Sequence, residues 1–155
     1  MPAKTYISID GLDDLKRAFK RMGSETRKTR VIKKAGRAGG RVMLNEMRRR
    51  ARGIGLRTSG NPKNKAFKKL TYKLLKVSAK GSNADDVEIT IGPQGREAAK
   101  FYWVEYGTVN RKGGRGSIRP RAVVRPAIDK TKNIARDILL LEMYDEVEKE
   151  WNRRI

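Results

Sequence analysis

Apolar residues recur along the chain with two spacings, and these predict the order of its helices and strands. Spacings of three and four residues indicate amphipathic helices, whereas strict alternation indicates half-buried strands. The pattern predicts a short strand over residues 6–9 and helices over 11–22 and about 25–52. An antiparallel hairpin of strands 69–79 and 87–91 follows, then a helical turn or two over 96–106 and a long last helix over about 127–152. The expected fold class is α+β, one domain over residues 1–155, with long helices packed on a small, mostly antiparallel β-sheet.

Three glycines interrupt the apolar seam of the second predicted helix, at positions 36, 39 and 40. Each costs about 1 kcal/mol relative to alanine inside a helix, so their presence needs a reason. Close approach of another backbone is one explanation, and a kink near residues 39–40 is the other.

The two last helical segments contain more large apolar residues than one core face needs. The block Phe101, Tyr102, Trp103 and Tyr106 is interpreted as packing over the sheet, in preference to stacking on nucleic-acid bases. The last helix is apolar on two sides, which indicates two neighbours, one of them a candidate second subunit. The two stripes are Ile128, Ile134, Ile138 and Leu141, and Leu140, Tyr144, Val147 and Trp151.

The composition excludes several kinds of chemistry. The chain has no Cys and no His, which excludes disulfides, thiolate nucleophiles and His-dependent catalysis. The longest apolar run, residues 138–141, is far shorter than the ~20 residues that cross a bilayer, so neither a transmembrane helix nor a membrane partner is expected. The first residues lack the apolar stretch of a signal peptide, and the cytoplasm is the expected place of synthesis.

The charge is large and unevenly placed. The formal net charge is +21, and residues 1–80 have 24 Lys and Arg against five acids, a net of +19. Such a basic front attracts polyanions, nucleic acid foremost, although a solvated basic surface is the plainer explanation. Arginines close the second helix, where they suit the negative end of the helix dipole or could bind phosphates. The candidate basic residues for DNA or a partner are Arg48, Arg49, Arg50, Arg52 and Arg57.

Two segments resemble catalytic or ligand-binding patterns only superficially. Asp85, Asp86 and Glu88, with Glu97, have a spacing that could hold Mg²⁺. Aspartates in a predicted turn are better explained by local hydrogen bonds. The Gly-rich residues 113–116 lack the Lys-Ser/Thr of a phosphate-binding loop. We therefore predict no catalytic residue, no metal site and no cofactor.

Two short motifs flank a Gly-rich loop in the last third of the chain. The first is YWVEYGT at 102–108 and the second is IRPRAVVRPAI at 118–128. Together they resemble the signature of siphophage tail-completion proteins, also described as head–tail joining or minor tail components of long-tailed bacteriophages. That family's usual Ala-Arg-Pro-Phe is replaced here by Ile-Arg-Pro-Arg at 118–121. The residues that carry the resemblance are Glu105, Tyr106, Gly107, Thr108, Arg119, Arg125 and Pro126.

The resemblance implies a virion structural protein without catalysis, so an enzyme is not expected. It implies a homo-oligomeric ring, expected to be six-fold, at the head-proximal end of the tail or in the neck around the DNA channel. The implied partners are neighbouring neck and tail proteins, with DNA in the channel as a candidate. In such a ring the acidic stretch 142–150 could pair with the basic front of a neighbouring subunit.

Within this reading, Glu105 is a natural ion-pair partner for Arg119 or Arg125. Exchanging the charges of Glu105 and Arg125 together should then recover assembly better than either single change. The alternative function is a sequence-nonspecific nucleic-acid-binding protein, which explains the charge but not the motifs. A nuclease that depends on Mg²⁺ and Asp86 is the third hypothesis.

Overall fold

A 29-residue helix, α1 (Glu25–Gly53), lies between the other long helix, α3 (Val124–Asn152), and a two-stranded sheet. The strands are β1 (Leu75–Lys80) and β2 (Glu88–Pro93), and a short helix, α2 (Ala99–Tyr106), follows them. This computed structural model describes residues 17, 20–56, 72–95, 98–108 and 119–152. The predicted α+β class, with long helices and a small antiparallel sheet, is confirmed.

The element boundaries differ from the predicted ones at several points. Residues 72–74 form a 3₁₀ turn, so the change of apolar phase near residue 75 marks the start of β1 and not a bulge inside a longer strand. Helix α3 begins at Val124, three residues before its predicted start. The predicted strand at 6–9 and most of the predicted helix at 11–22 lie outside the described residues.

The hairpin has one face on α1 and one face in solvent. Its strands pair antiparallel from Leu75 opposite Pro93 to Lys80 opposite Glu88. Lys76, Lys80 and Thr90 are exposed, whereas Val77, Ile89 and Ile91 lie against the helix. This alternation is what the sequence pattern predicts for a half-buried sheet.

The glycines of α1 let other elements approach the helix axis, which confirms the first of the two explanations. A β-carbon on Gly36 would lie 2.5 Å from Ile89 Cδ1, and one on Gly40 would lie 2.5 Å from Val77 Cγ2. A β-carbon on Gly39 would lie 2.5 Å from the carbonyl oxygen of Ala135 in α3. The sheet and α3 therefore pack on α1 at glycine positions, along one uninterrupted helix.

Small residues mediate the contact of α3 with α1. Ala127, Thr131 and Ala135 are buried in α3, spaced by four, and the Thr131 hydroxyl donates to the carbonyl of Ala127 at 2.7 Å. The residues of the predicted apolar stripes from Ile128 to Val147 are half-buried or exposed. Ile134, Leu141 and Tyr144 expose 54%, 65% and 48% of their surface.

The main apolar core lies beside the C-terminal half of α1. Helix α2 and the start of α3 close it from one side, and β1 closes it from the other. Its largest fully buried side chains are Phe101, Met47, Leu56, Leu75, Val104 and Val123.

Candidate functional site

The two sequence motifs meet where α2 ends and α3 begins. The Glu105 carboxylate of α2 accepts hydrogen bonds from the backbone N–H groups of Val123 at 2.6 Å, Val124 at 2.9 Å and Arg125 at 3.0 Å. A helix start leaves four N–H groups without an intrahelical acceptor. Here the fourth position is Pro126, which has no N–H. Glu105 and Pro126 together leave no unsatisfied donor in the first turn of α3.

This geometry replaces the predicted ion pair of Glu105 with an arginine side chain. Arg119 and Arg125 are both exposed, and within residues 98–108 and 119–152 no salt bridge joins either of them to Glu105. The carboxylate instead binds at the positive end of the α3 dipole, where an anion is stabilising. The prediction that residues 105 and 125 are close is right, but the group contacted on Arg125 is its backbone amide.

Further bonds tie this junction to the end of α1. The Arg121 backbone N–H donates to the Val104 carbonyl at 2.6 Å, and its guanidinium donates to the Ile54 carbonyl at 3.4 Å. Val104 and Val123 lie beneath these bonds, each about 1% exposed or less. The motifs therefore fix a corner between three helices.

The end of the first motif turns the chain away from α2. Gly107 has φ 75° and ψ −177°, a backbone region that is essentially restricted to glycine. Tyr106 is 64% exposed and its ring stacks on Tyr102, with centroids 6.3 Å apart and planes 13° apart. Thr108 follows and is half-buried.

The aromatic block is not a core element, and that prediction is wrong for three of its four members. Only Phe101 is buried, whereas Tyr102, Trp103 and Tyr106 are exposed. Helix α2 has eight residues and buries positions 101 and 104, one turn apart, so its other faces point outwards. With the exposed apolar residues of α3, these side chains form two apolar helix faces in solvent.

The arginines at the end of α1, predicted as candidates for binding DNA or a partner, make contacts within the chain. Arg48 donates to the Leu75 carbonyl at 3.0 Å, and its Nε is buried without a partner among the residues that the structure describes. Arg52 donates to the Arg48 carbonyl at 3.3 Å and lies over the Tyr72 ring at 5.3 Å. Arg57 lies outside the described residues.

The other two arginines of that cluster share Glu46. Arg49 binds it through two bonds of 2.7 Å, and Arg50 through one of 3.1 Å. The hydrogen bond from Arg49, helped by Lys130 and Arg50, lowers the pKa of Glu46 to about 2. These guanidinium groups are therefore held by a carboxylate of their own helix.

The acidic end of α3 also has partners within the chain. Glu146 binds Lys34 of α1 at 2.6 Å, and Glu142 lies 3.8 Å from the same ammonium. Glu150 lies 3.9 Å from Arg27. The hydrogen bond between Lys34 and Glu146 raises the pKa of Lys34 and lowers the pKa of Glu146. The predicted pairing of this stretch with a neighbouring subunit thus has an intrachain counterpart in the structure.

The remaining sequence candidates occupy a turn. Asp85 and Asp86 lie in the 3₁₀ turn between the strands, while Glu97 is outside the described residues. Among the described parts of the chain, no group of three or more acidic side chains is arranged to hold a metal ion. No helix in those ranges is long and apolar enough to cross a membrane.

Comparison with known proteins adds no relative to this picture. The chain matches no protein-family model, no curated protein and no solved structure.

Proposed function

We propose that the chain is a bacteriophage structural protein, a tail-completion or head–tail joining component. It assembles as a ring, expected to be six-fold, at the head-proximal end of the tail or in the neck, where DNA passes. The proposal rests on the resemblance of residues 102–108 and 118–128 to that family. The observation that carries it is the contact between these two motifs through Glu105.

The exposed apolar helix faces support a role in assembly. Large exposed apolar residues that lie close together are typical of interaction surfaces. Tyr102, Trp103 and Tyr106 lie on α2, and Ile134 and Leu141 lie on α3. In a ring each subunit offers such faces to its two neighbours.

Because the net charge is +21, we expect the subunits to assemble on a template and not in free solution. Like charges repel between copies of a strongly basic chain. Contact with DNA or with an acidic neck protein removes this repulsion and allows the apolar faces to meet.

Copy number in the particle tests the proposal. Particles of the phage or induced prophage that encodes the chain are purified on a gradient, treated with nuclease and measured by quantitative mass spectrometry. We expect a low, fixed ratio of this chain to the portal protein. Absence from particles, with recovery of the chain on intracellular nucleic acid, would overturn the proposal.

A matched pair of variants links the copy number to the apolar faces. Leu141→Ser removes an exposed apolar side chain and should reduce incorporation into particles. Asp129→Asn changes an exposed residue of the same helix outside the acidic stretch 142–150 and should leave incorporation unchanged. Equal incorporation of both variants would exclude the α3 face from the assembly contacts.

The second candidate function is sequence-nonspecific nucleic-acid binding. It is favoured by exposed arginines of α1 that have no partner among the described residues: Arg30, Arg37 and Arg41. This function requires tight binding of the isolated chain to free duplex DNA at physiological salt, together with absence from particles.

A further inference from the structure

We propose that a groove along the N-terminal half of α1 binds the phosphodiester backbone of duplex DNA. The groove has a volume of about 470 Å³ and is open to solvent. Its lining includes Thr26, Arg30, Lys33 and Arg37 of α1 and Ser82 of the turn after β1. This site differs from the arginine cluster that the sequence predicts at residues 48–57.

Four cationic side chains line the groove. Lys33 and Lys34 are held by bonds within the chain, whereas Arg30 and Arg37 are not. The Lys33 ammonium donates to the Gly81 carbonyl at 2.6 Å, which holds it in place and leaves its other N–H donors for a ligand. Arg30 and Arg37 are exposed, and no hydrogen bond or ion pair joins either guanidinium to another described residue. The structure thus presents two uncommitted guanidinium groups beside a positioned ammonium.

No described carboxylate forms an ion pair with Arg30 or Arg37, including Asp85 and Asp86 of the 3₁₀ turn that packs against α1. Glu142 and Glu146 hold Lys34 at the edge of the groove, and Glu25 binds Lys28 at 2.7 Å. These acids therefore do not neutralise Arg30 or Arg37. The local charge of the groove remains positive.

The groove has both kinds of donor that bind DNA phosphates. Guanidinium groups and hydroxyl groups supply most protein contacts to phosphate oxygens. Thr26 and Ser82 bring hydroxyls to the same surface as the arginines. A phosphate oxygen in this groove can therefore accept from a charged and a neutral donor together.

The basic stripe is long enough for several phosphates. Arg41 lies one turn beyond Arg37 on the exposed face of α1. At about 1.5 Å per residue, Arg30 and Arg41 are about 16 Å apart along the helix axis. Phosphates of one strand rise by about 3.4 Å each along the duplex axis, so the stripe is longer than the spacing of neighbouring phosphates and can contact more than one of them.

The surroundings of the groove favour nonspecific duplex binding over stacking on the bases of a single strand. Tyr102, Trp103 and Tyr106 lie on α2, which is tied to the other end of α1. Among the described residues, those that line the groove carry no aromatic ring that could stack on bases. We therefore expect phosphate contacts without sequence reading.

The salt dependence of DNA binding tests the site on the isolated full-length chain. Each phosphate contact contributes about 0.9 to the slope of log K against log salt concentration. The double variant Arg30→Gln with Arg37→Gln should therefore lower the slope by about 2, and should weaken binding roughly 50-fold at about 0.1 M salt. Arg41→Gln alone should lower the slope by about 1.

The matched control removes the same charge from residues that do not line the groove. Lys73 and Lys132 are exposed, and no described residue pairs with either, so Lys73→Gln with Lys132→Gln should keep the wild-type slope. Circular dichroism melting of each variant separates loss of binding from loss of folding.

Three results of the salt titration would overturn the proposal. These are absence of duplex binding by the wild type at low salt, an unchanged slope in the Arg30/Arg37 variant, and an equal loss in both double variants. Polyglutamate serves as the competing anion. Displacement of DNA by polyglutamate at equal charge concentration would identify a general anion site and would also overturn the proposal. Each readout uses the free chain, so it is independent of the copy number in particles.

Discussion

Glu105→Ala is the substitution that most directly tests the junction between the motifs. It removes the acceptor of three backbone N–H groups at the start of α3. The first turn of α3 is then left with three unsatisfied donors, of which those of Val123 and Val124 are partly buried.

The expected cost follows from these three bonds. A hydrogen bond to a charged group contributes about 1.5–3 kcal/mol, and the exposed bond to Arg125 contributes less because water replaces it. Loss of a helix cap alone typically costs about 1 kcal/mol. We expect Glu105→Ala to lower the free energy of unfolding by about 3 kcal/mol, and Glu105→Gln by about half of that, since the amide keeps one oxygen acceptor.

Urea unfolding followed by circular dichroism measures this difference. The matched control is Glu148→Gln, an exposed carboxylate far along the same helix, which should change the free energy of unfolding by less than about 0.5 kcal/mol. Hydrogen exchange at the amides of Val123 and Val124 should accelerate in Glu105→Ala only. A loss below about 0.5 kcal/mol in Glu105→Ala would refute the capping role.

The charge exchange distinguishes backbone capping from a side-chain ion pair. An ion pair predicts that Glu105→Arg with Arg125→Glu recovers the stability lost by Glu105→Arg. Capping predicts recovery of at most about 1 kcal/mol, which is what an acidic residue in the first turn of a helix contributes. The guanidinium at position 105 cannot accept from the N–H groups and adds a cation at the positive end of the α3 dipole. Stability of the double variant within about 0.5 kcal/mol of the wild type would contradict the geometry described here.

Three further predictions concern glycines and one carboxylate. Gly39→Ala should destabilise the fold by about 1–3 kcal/mol through its collision with the α3 backbone, whereas Gly53→Ala, with nothing within 4 Å, should be neutral or slightly stabilising; equal thermal midpoints would contradict this. Gly107→Ala should cost about 1–3 kcal/mol in urea unfolding, because its φ of 75° strains any side chain; a loss below about 0.5 kcal/mol would count against it. Glu46 should titrate near pH 2 when its carboxyl group is followed by NMR, and Arg49→Gln should raise that midpoint. Because the pKa of Glu46 is lowered in the folded state, the contribution of Glu46 to stability is present above about pH 4.5 and is lost as the pH falls towards 2.

The sequence predicts the element order well because periodicity is a local property. The spacing of apolar residues is enough to place α1, the hairpin and α3. The role of the α1 glycines is also predictable in kind, since close approach is one of few reasons for glycine inside a helix. Which element approaches which glycine depends on packing, and only the structure assigns Gly39 to α3 and Gly36 to the sheet.

The errors have physical causes in particular residues. The large apolar residues of α3 suggest its buried face, but α1 has glycine at the contact, and two helices approach closely only through small side chains. Ala135 lies at this contact with the Cβ of Leu139 beside it. Ala127, Thr131 and Ala135 form a four-residue repeat of small buried residues that the sequence does contain. The motif predicts a side-chain ion pair for Glu105, but its partners are the backbone amides of residues 123–125, which no sequence letter identifies.

For the charges too, the sequence predicts what depends on neighbouring residues and not what depends on long-range contacts. Counting residues locates the basic half of the chain but not the cations that remain free, because pairs such as Lys34 with Glu146 join residues 112 positions apart. The structure separates arginines that hold the fold, among them Arg48 and Arg49, from the unpaired Arg30 and Arg37. Substitutions in the first group should therefore change stability, and those in the second should change DNA affinity at unchanged stability. If both groups changed the same property, net charge alone would govern this protein and the groove would have no distinct role.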